Sequence, residues 1–160
     1  MYELPEIRWI VDRAAVIDTI VEFANAMDAQ DWQKVRSHLA DEIDIDYSEF
    51  RGETPRRITA EEYIKQRVEG LAGFRTLHVS TNHEVTLNNN TAECKSVYQI
   101  YRLDPTRESG QNRFDTAGNY FHSLIQKTDR HWLITGIKQT VVIVSGNPQV
   151  HGALRGTSPS

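Results

Sequence analysis

Thr76-Leu77-His78-Val79-Ser80-Thr81-Asn82-His83-Glu84-Val85-Thr86-Leu87-Asn88-Asn89-Asn90 is the stretch where the chain changes its period. Leu77, Val79, Val85 and Leu87 share one parity, which is strand patterning. Asn88-Asn89-Asn90 is a turn signal, so a second strand is expected to fold back over Thr91–Leu103. Asp104-Pro105 opens a polar loop that ends near Arg113. Two more strands fit residues 114–127 and 132–145, joined by Thr128-Asp129-Arg130. The last strand carries Val141 and Ile143 on one face and Val142 and Val144 on the other, which suits a strand covered on both sides. Residues 1–147 read as one domain and 148–160, rich in Gly, Pro and Ser, as an irregular tail.

Upstream the period is helical. Ile10, Ala14, Ile17, Val21 and Ala24 recur at steps of four, three, four and three, predicting a buried stripe whose next step lands on Asp28. A short helix over 32–39 follows, with Asp31 as its cap. Ile43, Ile45 and Tyr47 alternate with Asp44 and Asp46 as in a strand. Thr59 followed three later by Glu62 predicts another helix start, running to about Gly70. Helices first and a meander of long strands after them imply an α+β domain with the helices packed on one face of a curved, mostly antiparallel sheet, which can wrap around them and leave a pocket.

The 160 residues suit one domain, and 39% hydrophobic with 25% charged residues is the balance of a folded protein. No apolar run approaches the roughly 20 residues of a membrane helix. The N-terminus lacks the basic-then-apolar order of a secretory signal, so a cytoplasmic protein is expected and the Asn89-Asn90-Thr91 sequon is accidental. A net charge of −4, with Arg56-Arg57 the one adjacent basic pair, argues against nucleic acid. The single cysteine, Cys94, forms no internal disulfide.

Asp28 extends an apolar stripe, and a buried carboxylate must be paired or hydrogen-bonded. It reads either as a cap or salt-bridge partner, or as an acid that orients a histidine. His78 lies on the parity opposite Leu77 and Val79, facing solvent or a polar pocket. His83 and His122 lie in strands, His38 and His131 look like surface positions, and His151 falls in the tail. No metal-ligand spacing, phosphate loop, dinucleotide fingerprint or nucleophile elbow is present, so neither cofactor nor metal is expected. Most of the aromatics clustered in the strands, Tyr47, Phe50, Tyr98, Tyr101, Phe114, Tyr120, Phe121 and Trp132, should be core, and their number also suits a pocket for a flat ring-bearing or polyketide-like ligand.

Asp28-Ala29-Gln30-Asp31-Trp32, Ile45-Asp46-Tyr47 and Arg75-Thr76-Leu77-His78, in this order, resemble the scytalone dehydratase branch of the SnoaL-like families, within the nuclear transport factor 2-like superfamily. Gly118-Asn119-Tyr120, Asp129-Arg130-His131-Trp132 and Gly146-Asn147 extend the resemblance, which spans about residues 10–147. It implies a cone-shaped α+β barrel enclosing a pocket, in which Asp28 pairs with His78 and Tyr47 helps polarise a substrate carbonyl. It implies pocket positions at Met27, Trp32, Tyr101, Asn119 and Phe121. Three of these depart from the family: Met27 replaces a tyrosine, Tyr101 falls near a second histidine, and Phe121 near an asparagine. Bile acid dehydratases and dehydrochlorinases of the same superfamily use a similar pair, so the resemblance implies a reaction type rather than a substrate.

Three readings follow. The first is a cofactor-independent lyase acting on a small cyclic or polyketide-like substrate, with His78 as base, Asp28 its orienter and Tyr47 the carbonyl-side donor. The second is a ring isomerase or cyclase using the same pair. The third is a non-catalytic small-molecule-binding module. The resemblance also implies self-association, as a homodimer or larger homo-oligomer.

Overall fold

The computed structural model describes residues 4–128 and 131–152. Helix α1 (Pro5–Asp28) leads into α2 (Trp32–Ser37) and strand β1 (Leu39–Asp46). A single turn α3 (Ser48–Arg51), a short β2 (Arg56–Thr59) and helix α4 (Ala60–Leu71) follow. Four long strands complete the chain: β3 (Arg75–Asn88), β4 (Thr91–Leu103), β5 (Arg113–Thr128) and β6 (His131–Gly146). The sheet order is β2-β1-β6-β5-β4-β3. All neighbours are antiparallel except β1 and β6, which run parallel. This mixed, unclosed and curved sheet wraps the helices as the cone-shaped α+β fold does.

Local chemistry explains the boundaries. Pro5 starts α1, where its missing N–H costs nothing. The Asp31 carboxylate accepts the Lys34 N–H at 3.0 Å and caps α2. The Thr59 hydroxyl accepts the Glu62 N–H at 3.1 Å and caps α4. Asp46 accepts both the backbone and hydroxyl hydrogens of Ser48, starting α3, and Gly52 ends that turn at φ +68°. Asp129 and Arg130, read as part of the β5–β6 turn, lie outside the described residues.

The core lies between α1 and the concave face of the sheet. Val16, Ile20, Phe23 and Met27 of α1 meet Ile43, Ile45, Leu124, Trp132, Ile134 and Ile137 of the sheet, with Val35 and Tyr63 closing the sides. Two expectations change here. The buried face of α1 is Asp12, Val16, Thr19, Ile20, Phe23, Ala26 and Met27, not the stripe from Ile10 to Ala24. Ile10 and Ala14 are exposed, and Ile17, Val21 and Ala24 form its half-buried flank. The helix carries apolar residues on two adjacent faces, and period alone does not say which one the sheet takes.

Strand β3 also does not keep one parity. Asn82 sits at φ +53°, and the pairing with β4 shifts register between Thr81 and Glu84. This β-bulge inserts a residue and reverses which side chains face inward. Before it Thr76, His78 and Ser80 point to the concave side and Leu77 is exposed; after it His83, Val85 and Leu87 point inward.

Candidate active site

Asp28 is the last residue of α1, where the negative end of the helix dipole disfavours a carboxylate. Three hydrogen bonds from β3 hold it there. Its Oδ1 accepts the Thr76 hydroxyl at 2.8 Å and contacts His78 Nδ1 at 2.5 Å, and its Oδ2 accepts the His78 backbone N–H at 2.6 Å. Burial pushes the Asp28 carboxyl up, but the His78 ring and backbone and the Thr76 hydroxyl outweigh it and leave it below its ordinary value. The carboxylate is therefore ionised at neutral pH. It does not cap α2, since Asp31 does that. With Nδ1–H directed at Asp28, Nε2 is the basic nitrogen of His78.

His78 lines a partly open cavity between the helices and the sheet, together with Met27 and Tyr47. About 70 Å³ of it is open to the centres of water-sized molecules, several times what one water requires. Ile20, Phe23 and Ile137 supply apolar walls. The Tyr47 hydroxyl lies 3.4 Å from that of Tyr63. Tyr63 and Tyr120 are pushed up by burial, so both are neutral hydrogen-bonding groups.

The other expected pocket positions lie elsewhere. On β4 the inward side chains are Cys94, Ser96, Tyr98, Ile100 and Arg102, so Tyr101 faces out, bonding the Gln99 side chain at 3.3 Å. On β5, Tyr120 and His122 face in, which turns Asn119 and Phe121 to the outer side. Phe121 lines a shallow outer depression with Asp44 and Lys138. Trp32 packs, half-buried, against the main core at the start of α2. His38, expected at the surface, is buried beside Glu22. Of the segment read as a tail, residues 148–152 are described: Val150 and His151 are buried, and His151 lines the cavity. Residues 153–160 lie outside the described part.

The cavity also contains groups that period and motif did not single out: Arg51, Arg67, Arg102, Tyr63 and Gln139 line it beside Tyr98, Tyr120 and His122. Two signals were present: Arg102 shares the inward parity of Tyr98 and Ile100, and Arg67 stands four residues after Tyr63 on α4. Burial pulls Arg102 down to about 10, with Arg51 and Arg67 adding repulsion. His122 is pulled down to about 4 by burial and by His83. Among the described residues, no group of three His, Cys, Asp or Glu side chains is placed to hold a metal ion. No helix among them is long and apolar enough to cross a membrane.

Comparison with known proteins agrees with this architecture. No curated protein sequence matches the chain significantly. The Kfla4162 protein of Kribbella flavida superposes with a TM-score of 0.79 at 22% identity, over 84% of this chain and 93% of that one. A proposed aromatic ring hydroxylase from Novosphingobium aromaticivorans gives 0.76 at 21%, over 92% and 99%. A proposed scytalone dehydratase from the same organism gives 0.73 at 15%, over 85% and 87%. These likenesses establish a shared fold. The sequence model of the SnoaL-like domain matches residues 9–138, most of the chain, so this protein belongs to the SnoaL-like domain family.

Proposed function

We propose that this protein is a cofactor-independent lyase that eliminates water, or another small leaving group, from a cyclic or polyketide-like carbonyl compound. The observation that carries this reading is the Asp28–His78 pair, hydrogen-bonded at 2.5 Å with His78 on the wall of the cavity between helices and sheet. His78 Nε2 takes the proton beside the substrate carbonyl. Asp28 stabilises the imidazolium that forms. The Tyr47 hydroxyl, directly or through a water, donates to the developing enolate oxygen. Collapse of the enolate expels the hydroxyl, which leaves as water with the proton carried by His78. The same pair would move a proton in a ring isomerisation, and product mass separates the two: elimination loses a small molecule and isomerisation does not.

The test is incubation with a panel of cyclic β-hydroxy ketones in D₂O, followed by mass spectrometry. The expected result is loss of water, with turnover reduced about 10²–10⁴-fold in His78→Ala and Asp28→Asn. Full turnover in both variants on the same substrate would mean that the pair is not the catalyst. If no small molecule is turned over and His78→Ala leaves ligand affinity unchanged, the protein is a binding module.

The same proposal includes self-association and a cytoplasmic location for a single-domain protein. Val142, Ile143 and Val144 of β6 are 74%, 59% and 52% exposed, an apolar run that a second copy would cover. Light scattering on the eluting protein should give a dimer or larger assembly, and Val144→Glu should shift it toward monomer. A monomer at all concentrations removes this part.

A further inference from the structure

The cavity holds more buried positive charge than its surroundings balance. Arg51 comes from α3, Arg67 from α4 and Arg102 from β4, and all three line the same space. The Arg51 side chain is 9% exposed and Arg102 is 6% exposed. Guanidinium groups stay protonated even when buried, so these are three cations. Their partners are few. Arg51 Nη1 is 3.7 Å from a carboxylate oxygen of Glu53, itself about one-third exposed. Arg102 Nη1 donates to the Thr116 hydroxyl at 3.1 Å. Arg51 Nε, Arg67 Nε and Arg67 Nη2 are buried and meet no hydrogen-bond acceptor among the described residues. The ionised carboxylate of Asp28 is occupied by His78 and Thr76.

Aromatic rings hold the cations in place without neutralising them. Arg51 Cζ lies 4.2 Å from the Tyr47 ring centroid, and Arg67 Cζ lies 5.1 Å from Tyr47 and 4.7 Å from Tyr63. A guanidinium packed on a ring face offers its faces to the ring and keeps its N–H edges for an acceptor. Those edges are the unpartnered atoms. Buried charges are ordinarily paired, and like charges gathered without a counter-ion repel. A site of this kind is completed by an anion from outside the chain.

We infer that the cavity takes a ring-bearing organic carboxylate, with the carboxylate seated among Arg51, Arg67 and Arg102 and the ring against Ile20, Phe23 and Met27. A carboxylate is planar and accepts the two parallel N–H bonds of a guanidinium edge, and it is compact enough for this space. Gln139 Nε2 and His122 Nδ1, also buried without a partner, line the same cavity and can meet further polar atoms of the ligand. Anchoring one end of the substrate on the arginines leaves its reacting carbon to be presented to His78. The inference rests on the cavity being the substrate site proposed above, and it adds the substrate's charge.

The test uses the full chain and matched probes: benzoate against benzamide, and cyclohexanecarboxylate against cyclohexanecarboxamide, titrated calorimetrically at pH 7. The expected result is that each carboxylate binds at least about tenfold tighter than its neutral amide. The preference should fall to near parity in Arg67→Gln and, separately, in Arg51→Gln, with folding of each checked by circular dichroism. His78→Ala, which removes the proposed base and no arginine, should keep the preference. Amides that bind as tightly as carboxylates, no binding of either by the wild-type protein, or a preference that survives in folded arginine variants would each overturn the inference. Inorganic phosphate bound more tightly than benzoate would overturn the choice of carboxylate. Anion preference retained alongside His78-independent turnover would remove the catalytic proposal alone. His78-dependent turnover without anion preference would remove this inference alone.

Discussion

Lowering the pH from 8 to 5 should cost this protein about 2 kcal/mol of folding stability through His122 alone. The side chain is 3% exposed, its ring lies 5.2 Å from that of Tyr120, and its Nδ1 is buried without a partner. A proton there creates a charge that burial leaves unsolvated and that His83 repels, so the pKa falls from 6.5 to about 4. Between those values the unfolded chain binds more protons than the folded one. Stability is therefore complete above about 6.5 and is lost as the pH falls toward 4. The separation of about 2.5 pH units, at ~1.36 kcal/mol each, bounds the loss at about 3 kcal/mol, of which about 2 kcal/mol is reached by pH 5. The assay is urea unfolding of the wild-type protein and His122→Phe at pH 8 and pH 5. The variant should lose about 2 kcal/mol less over this step. His38 and His83, also held below their ordinary values by burial, respond in both proteins and cancel. Asp28, held low, keeps its stabilising effect above its ordinary 3.8 and loses it only below, outside the range tested. An equal loss in the two proteins would mean that His122 does not carry this pH dependence.

Other substitutions test the frame around the site. A Cβ at Gly118 would lie 2.1 Å from the Thr140 backbone oxygen, so Gly118→Ala should destabilise by more than about 2 kcal/mol; an unchanged urea midpoint would show that β5 and β6 can part there at little cost. Thr59→Ala removes the acceptor for the Glu62 N–H and should cost about 1 kcal/mol by the same assay, whereas no change would mean that solvent replaces the cap. A Cβ at Gly152 would lie 2.4 Å from the Gly70 backbone, so Gly152→Ala should push residues 148–152 off α4 and away from the cavity. Faster amide exchange at Val150 and His151 with little change in global stability is the expected result, and unchanged exchange contradicts it.

Much of the architecture is legible in the sequence because local chemistry and period agree along most of it. The strand expected over Thr91–Leu103 after the Asn88-Asn89-Asn90 turn is β4 residue for residue, and the caps at Asp31 and Thr59 mark real helix starts. The short α3 and β2 carry too few residues for any period to register. Apolar residues occupy two sides of α1, so period alone does not fix its buried face. One residue at positive φ, Asn82, reverses the parity of β3, which no period in the sequence marks. The same difficulty governs the site. Asp28, His78 and Tyr47 come from motifs in order, and the fold brings Asp28 and His78 into contact and places Tyr47 on the same cavity. Tyr101, Asn119 and Phe121 were placed in the pocket by resemblance, although parity with Tyr98, Tyr120 and His122 turns them outward. The arginines come from three separate elements and share no spacing, so only the folded chain shows that they meet.

Whether His78 is a base whose tautomer Asp28 fixes is tested, without knowledge of the substrate, by ¹⁵N NMR of the histidine ring nitrogens at neutral pH. The expected spectrum shows the neutral His78 ring with its proton on Nδ1 and an unprotonated Nε2, and Asp28→Asn alters that signal. An Nε2-protonated ring, or a His78 signal indifferent to Asp28→Asn, would contradict that role.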